Sequence, residues 1–90
     1  MRNRSRSDII PMILEAARVG ATKTKIMYKA YLSYAQVIEY LEYLQQSDLL
    51  TCEECTQLYR PTEKGLKFLN LSNEINELTP DIYTKNYSLQ

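Results

Sequence analysis

KTKIMYKAYLSYAQ, residues 23–36, is the stretch on which the reading of this chain turns. Thr22 is placed to cap the segment, and Ile26, Met27 and Ala30 share one apolar side of it. Ser33 and Gln36 then make an S-x-x-Q capping box, so a second helix opens almost at once. Within that helix Val37, Leu41 and Leu44 repeat at i, i+4, i+7, with Ile38 alongside, which turns one face to a core. A short helix, a connection of about four residues and a longer capped helix form a helix-turn-helix arrangement. In such a pair the second helix enters the DNA major groove while the first crosses the backbone. Lys23, Lys25 and Lys29 on the first helix then have a use, which is to neutralise phosphates.

Working outward, Ser7 reads as an N-cap with Asp8 in the first turn, and Ile9, Ile10, Ile13, Leu14 and Ala17 recur at helical spacing up to Gly20. Pro11 implies that this helix starts at Ser7 or later, or kinks. Beyond the capped helix, Ser47-Asp48 is a stop. Leu49, Leu50 and Thr51 read as a short strand with Gln57, Leu58 and Tyr59 as its partner, joined by a turn near Glu53-Glu54. Thr62 caps a last helix, with Glu63 in its first turn, and Pro80 ends the pattern. The expected fold is therefore α+β, mainly α: three helices, a two-stranded wing and a C-terminal helix.

Ninety residues suffice for a single core. Hydrophobic residues make up 44% and charged residues 24%, ordinary values for a globular protein. No stretch of these residues resembles a signal peptide and no apolar run approaches membrane length, so the expected location is the cytoplasm, in association with the nucleoid. The net charge of zero conceals an asymmetry. Residues 1–38 carry seven basic and two acidic side chains (+5), whereas residues 39–90 carry four basic and nine acidic (−5). A basic half attracts polyanions, and a solvated basic face without a partner is the plain alternative.

The run RSRSDIIPMILEAARVGATKTKIMYKAYLSYAQVIEYLEYL, followed by LYRPTEKGLKFL, resembles archaeal winged helix-turn-helix proteins. That group includes the dimeric "10a" chromatin proteins and small transcriptional regulators. The resemblance spans roughly residues 4 to 70 and implies a winged-helix fold and binding to double-stranded DNA. Two features depart from it: the last helix is short, and the wing TCEECTQ is acidic with two cysteines. On this reading residues 1–6 are a flexible basic arm, 7–61 the winged core, 62–79 a dimerisation helix and 80–90 a tail.

Recognition helices read bases mainly from their N-terminal residues. That selects Ser33, Tyr34, Ala35, Gln36 and Glu39, with Tyr43 further along the outer face. Gln pairs with adenine, Glu accepts from cytosine N4 and Ala touches a thymine methyl; alternatively Gln36 only completes the capping box and the glutamates are solvated. Arg4 and Arg6, with Arg2, read as an arm reaching phosphates or a minor groove, or else as a frayed terminus. Eight of the nine aromatics are tyrosines, five of them between Tyr28 and Tyr43; most are expected to be half-buried with the hydroxyl at the surface, and Tyr34 is best placed for a phosphate.

Cys52 and Cys55 form one C-x-x-C without histidine or a second pair, so no structural zinc site is expected and reduced thiols are the simplest reading, a disulfide the alternative. No cofactor or small-molecule ligand is indicated, and with no histidine, nucleophile elbow or P-loop the chain does not read as an enzyme. The last helix carries two apolar stripes. Leu66 and Leu69 suit packing on the domain, whereas Phe68, Leu71, Ile75 and Leu78 follow an a/d heptad spacing that fits a homodimer seam. The alternative cover is the tail, through Ile82, Tyr83 or Tyr87. Two functions are carried forward: a homodimeric DNA-binding regulator or chromatin protein, and a winged-helix protein-interaction module without DNA binding.

Overall fold

A computed structural model describes residues 4–78. The order is α1 (Arg6–Ala17), α2 (Lys23–Lys29), α3 (Tyr34–Gln46), β1 (Leu50–Cys52), β2 (Tyr59–Pro61) and α4 (Glu63–Leu78). This is the mainly helical winged arrangement expected. Arg2, the end of the dimerisation segment at residue 79 and the tail with Ile82, Tyr83 and Tyr87 lie outside the described residues.

Both inter-helical caps form as the spacing predicts. Thr22 Oγ1 accepts the Lys25 N–H at 3.2 Å, and Ser33 Oγ accepts the Gln36 N–H at 3.2 Å while Gln36 Oε1 accepts the Ser33 N–H at 2.9 Å. Between α2 and α3 the chain turns through Tyr31, whose φ of 56° is left-handed. The Leu32 N–H reaches back to the Met27 carbonyl at 2.9 Å and the Tyr31 N–H to that of Tyr28 at 3.3 Å, a Schellman ending in which Leu32 buries itself behind the turn. The end of α3 repeats this motif through Asp48, φ 62°.

The start of α1 differs from the expected one. Ser5, not Ser7, is the N-cap: its N–H donates to Asp8 Oδ2 at 3.1 Å, and its carbonyl accepts the N–H groups of Asp8 and Ile9. Pro11 thus lies inside the helix. The bond it forfeits would have ended on Ser7, an exposed first-turn residue whose carbonyl water can satisfy.

The wing strands sit later in sequence than anticipated. Leu50 pairs with Pro61, Thr51 with Arg60 and Cys52 with Tyr59, antiparallel. Gln57 adopts φ 61° and the Glu53 N–H is taken by the Leu58 carbonyl, so residues 57 and 58 belong to the turn. Ala21 adds an isolated bridge to Tyr59, with N–H···O distances of 3.1 and 2.8 Å, and so ties the α1–α2 connection to the wing.

The core gathers Ile9, Ile10, Ile13, Leu14 and Ala17 of α1, Ile26 of α2, Val37, Leu41 and Leu44 of α3, Leu49, Leu50 and, from α4, Leu69. Leu66 was expected beside Leu69 but is exposed. Gly65 takes its place at the contact, because a Cβ there would fall on the Leu49 carbonyl oxygen and lie 3.3 Å from Pro61 Cβ. Phe68, expected in the outward seam, packs against the core instead. Leu71, Ile75 and Leu78 are 51%, 54% and 82% exposed.

Candidate nucleic-acid interface

Helix α3 buries Val37, Leu41 and Leu44 and exposes Gln36, Glu39, Tyr43 and Gln46 along the opposite stripe. Tyr34 and Ala35 in its first turn, and the capping Ser33, are also exposed. These residues lie together on one accessible surface. The cap constrains one of them. Gln36 Oε1 already accepts the Ser33 N–H, so the cap and a base would share that oxygen, while its amide nitrogen makes no such bond.

The three lysines of α2 do not share a face. Lys23 stands at the start of α3, with Nζ 3.4 Å from the Tyr34 hydroxyl and 5.1 Å from its ring centroid. Lys25 and Lys29 line a groove of about 790 Å³ between α1, α2 and α4, together with Asp8, Glu15, Met12, Leu69 and Ile75. At about 100° per residue they point some 120–160° away from Lys23. The structure thus splits the three lysines, with Lys23 beside Tyr34 at the start of α3 and Lys25 and Lys29 on the groove side of α2.

At the C-terminal end of the expected arm the structure places Arg4 and Arg6 against the domain. Arg4 is folded against the α2–α3 turn: its guanidinium donates to the Ala30 carbonyl and, at 2.6 Å, to that of Tyr31, and lies 6.0 Å from the Tyr31 ring centroid. Arg6 is the first residue of α1, with its guanidinium carbon 4.7 Å from the Tyr43 ring centroid. It thereby reaches the outer stripe of α3 from a different helix, a placement that separation along the chain hides.

The wing has its own polar clasp. Arg60 Nε meets Glu53 Oε2 at 3.1 Å, and Thr56 Oγ1 donates to Glu53 Oε1 at 2.8 Å. The Thr56 hydrogen bond and then Arg60 hold the Glu53 carboxyl below its ordinary pKa. Burial pushes the Tyr59 hydroxyl up, and Cys52, its partner across the strands, adds to this. Cys52 and Cys55 are free thiols. Among the described residues no three Cys, Asp or Glu side chains converge in a way that would hold a metal ion, and no helix is long and apolar enough to cross a membrane.

A sequence profile described as winged helix-turn-helix matches residues 3–80. No curated relative matches the chain in sequence. Among solved structures, the fold is similar to that of Sso10a-2, a DNA-binding protein from Sulfolobus solfataricus, with a TM-score of 0.75 and 22% identity over 96% of this chain and 93% of the other. ZitR of Lactococcus lactis, solved in complex with DNA, is similar at TM-score 0.69 and 22% identity. That match takes in the whole of this chain but 65% of ZitR. These are likenesses of fold.

Proposed function

The chain belongs to the winged helix-turn-helix family, and we propose that it binds double-stranded DNA as a transcriptional regulator or chromatin protein. The observation that carries this reading is the outer surface of α3: capped by Ser33 and Gln36, exposed along Tyr34, Ala35, Glu39 and Tyr43, and met by a cation at each end, Lys23 and Arg6. A helix presented in this way suits a major groove, with its N-terminal turns toward the bases. The DNA-binding neighbours of the same fold support the reading. Such a protein would act in the cytoplasm, on the nucleoid.

Dimerisation belongs to the same proposal. Leu71 and Leu78 lie exposed on α4 with Ile75 between them, and a two-fold seam there would bury them. A two-fold dimer would set two α3 helices on half-sites one helical turn apart or a multiple of it.

Fluorescence anisotropy with labelled duplex at two salt concentrations tests the central claim. Each phosphate contact adds about 0.9 to the slope of log affinity against log salt, so binding through Lys23 of two protomers should weaken roughly tenfold between about 50 and 200 mM salt, and more with every further phosphate contact. Glu39 and Glu42, both exposed on α3, favour the second reading, a protein-interaction module. Absence of duplex binding at low salt would decide for it.

A further inference from the structure

Four arginines lie among the described residues, and three have their guanidinium donors engaged. Arg4 donates to two backbone carbonyls, Arg18 pairs with Glu15 at 3.3 Å and Arg60 pairs with Glu53. Arg6 differs. Its contact is the face of Tyr43, and among the described residues it makes neither a hydrogen bond nor an ion pair. Yet carboxylates are near: Arg6, Glu39, Tyr40, Glu42, Tyr43 and Gln46 line one shallow depression of about 290 Å³ on the outer side of α3. The arginine is held over the ring, with the in-plane donors that make it selective still uncommitted.

The charges in this depression discriminate between possible ligands. Two carboxylates and one guanidinium leave it net negative, which repels a phosphate. A base edge carries no net charge and is not repelled. In the major groove a G·C pair presents the O6 and N7 acceptors of guanine beside the N4 amino donor of cytosine. Arg6 offers donors for the first and Glu39 an acceptor for the second. Glu39 lies one turn before Tyr43 on the same exposed stripe, on the side of α3 opposite Val37 and Leu41.

We propose that Arg6, stacked on Tyr43, and Glu39 together read one G·C base pair, with Arg6 donating to guanine and Glu39 accepting from the cytosine amino group. The inference rests on the DNA-binding reading above and deepens it. Sequence selectivity then comes from α1 as well as from the helix in the groove, and Tyr43 is a positioning residue that holds the guanidinium.

Binding-site selection with the full chain, followed by affinity measurements, tests this. The wild type should select a G·C pair at one position in each half-site. Arg6→Ala should lower the discrimination at that position by about 5- to 100-fold while leaving the other selected positions intact. Arg6→Gln, at an exposed site, should do the same and guards against a folding artefact in either variant. Replacing that guanine by 7-deazaguanine, which lacks the N7 acceptor, should weaken the wild type and leave Arg6→Ala unchanged. If Arg6→Ala weakens all duplexes equally and lowers the salt slope by about one, Arg6 is a phosphate contact and the proposal is overturned. Salt-dependent binding by the wild type without any G·C preference overturns this inference alone. No duplex binding at all removes the DNA-binding reading along with it.

Discussion

Gly65→Ala sets two effects of opposite sign against each other, and the structure decides between them. In a helix interior, alanine is more favourable than glycine by roughly 1 kcal/mol, so propensity alone predicts a more stable protein. At Gly65 the added Cβ would fall on the Leu49 carbonyl oxygen and 3.1 Å from its carbonyl carbon. That carbonyl cannot simply swing away. It accepts the Thr62 N–H at 3.1 Å, while Thr62 Oγ1 donates to the Asp48 carbonyl at 2.6 Å and accepts the Gly65 N–H at 3.0 Å. Relief means lifting the first turn of α4 off the α3–β1 connection. Overpacking of this kind costs about 1–3 kcal/mol, and each of one or two broken hydrogen bonds adds about 1 kcal/mol. After the propensity gain, the net loss should be about 2–3 kcal/mol, roughly 10 °C or more in melting temperature for a domain of this size. Urea unfolding followed by circular dichroism measures it, with the exposed Lys67→Gly as a propensity control expected to lose only about 1 kcal/mol. A Gly65→Ala protein as stable as the wild type would refute the close approach of α4 to Leu49.

The lysines of α2 should separate functionally. Lys23→Ala should weaken binding to all duplexes and lower the salt slope by about one, whereas Lys25→Ala and Lys29→Ala should leave the slope unchanged in the same anisotropy titration. Ser33→Ala removes the cap of α3 and should cost about 1 kcal/mol by thermal melting, with weaker duplex binding. Leu71→Asp combined with Ile75→Asp should give a monomer of unchanged helical content in sedimentation; a wild type already monomeric at tens of micromolar would remove the α4 seam. Glu53 has a depressed pKa, so its stabilisation of the wing is complete above its ordinary value near 4.5 and is lost as pH falls through the folded value. Glu53→Gln should therefore differ from the wild type at neutral pH and converge with it in acid, as read from wing amide exchange.

What the sequence made legible was local. The caps at Thr22 and Ser33 and the apolar repeat of α3 depend on residues three or four apart, and those spacings fix the helix starts and the buried face. The split of the α2 lysines was legible too, since a helical wheel already sends Lys25 and Lys29 away from Lys23. The orientation of α4 was not. An apolar-stripe argument treats Gly65 as neutral and so favours Leu66 and Leu69, but the helix approaches the domain most closely where it has no side chain at all. That rotation buries Gly65 and Leu69, draws Phe68 inward and leaves Leu66 on the flank. The strand shift depends on Gln57 entering the left-handed region, for which its residue type gives no signal. The stacking of Arg6 on Tyr43 joins two helices far apart in sequence and follows only from the packing of α1.

The double use of Gln36 bears on how this surface would read DNA. By residue type it is the obvious partner for adenine, a pairing that needs both its carbonyl oxygen and its amide nitrogen. The oxygen is engaged in holding the Ser33 N–H, and turning it wholly to a base would give up the capping bond, a cost of about 1 kcal/mol set against the gain from the base. With the Gln36 oxygen shared with the cap, the charged acceptor on the stripe is Glu39, and the flanking donors are Lys23 with Tyr34 at one end and Arg6 at the other. On this account selectivity moves along α3, away from its capped first turn and toward the place where α1 meets it. A Gln36→Glu variant separates the two roles. It keeps an oxygen for the Ser33 N–H but removes the amide donor, so the fold should hold while any preference that depends on that donor disappears.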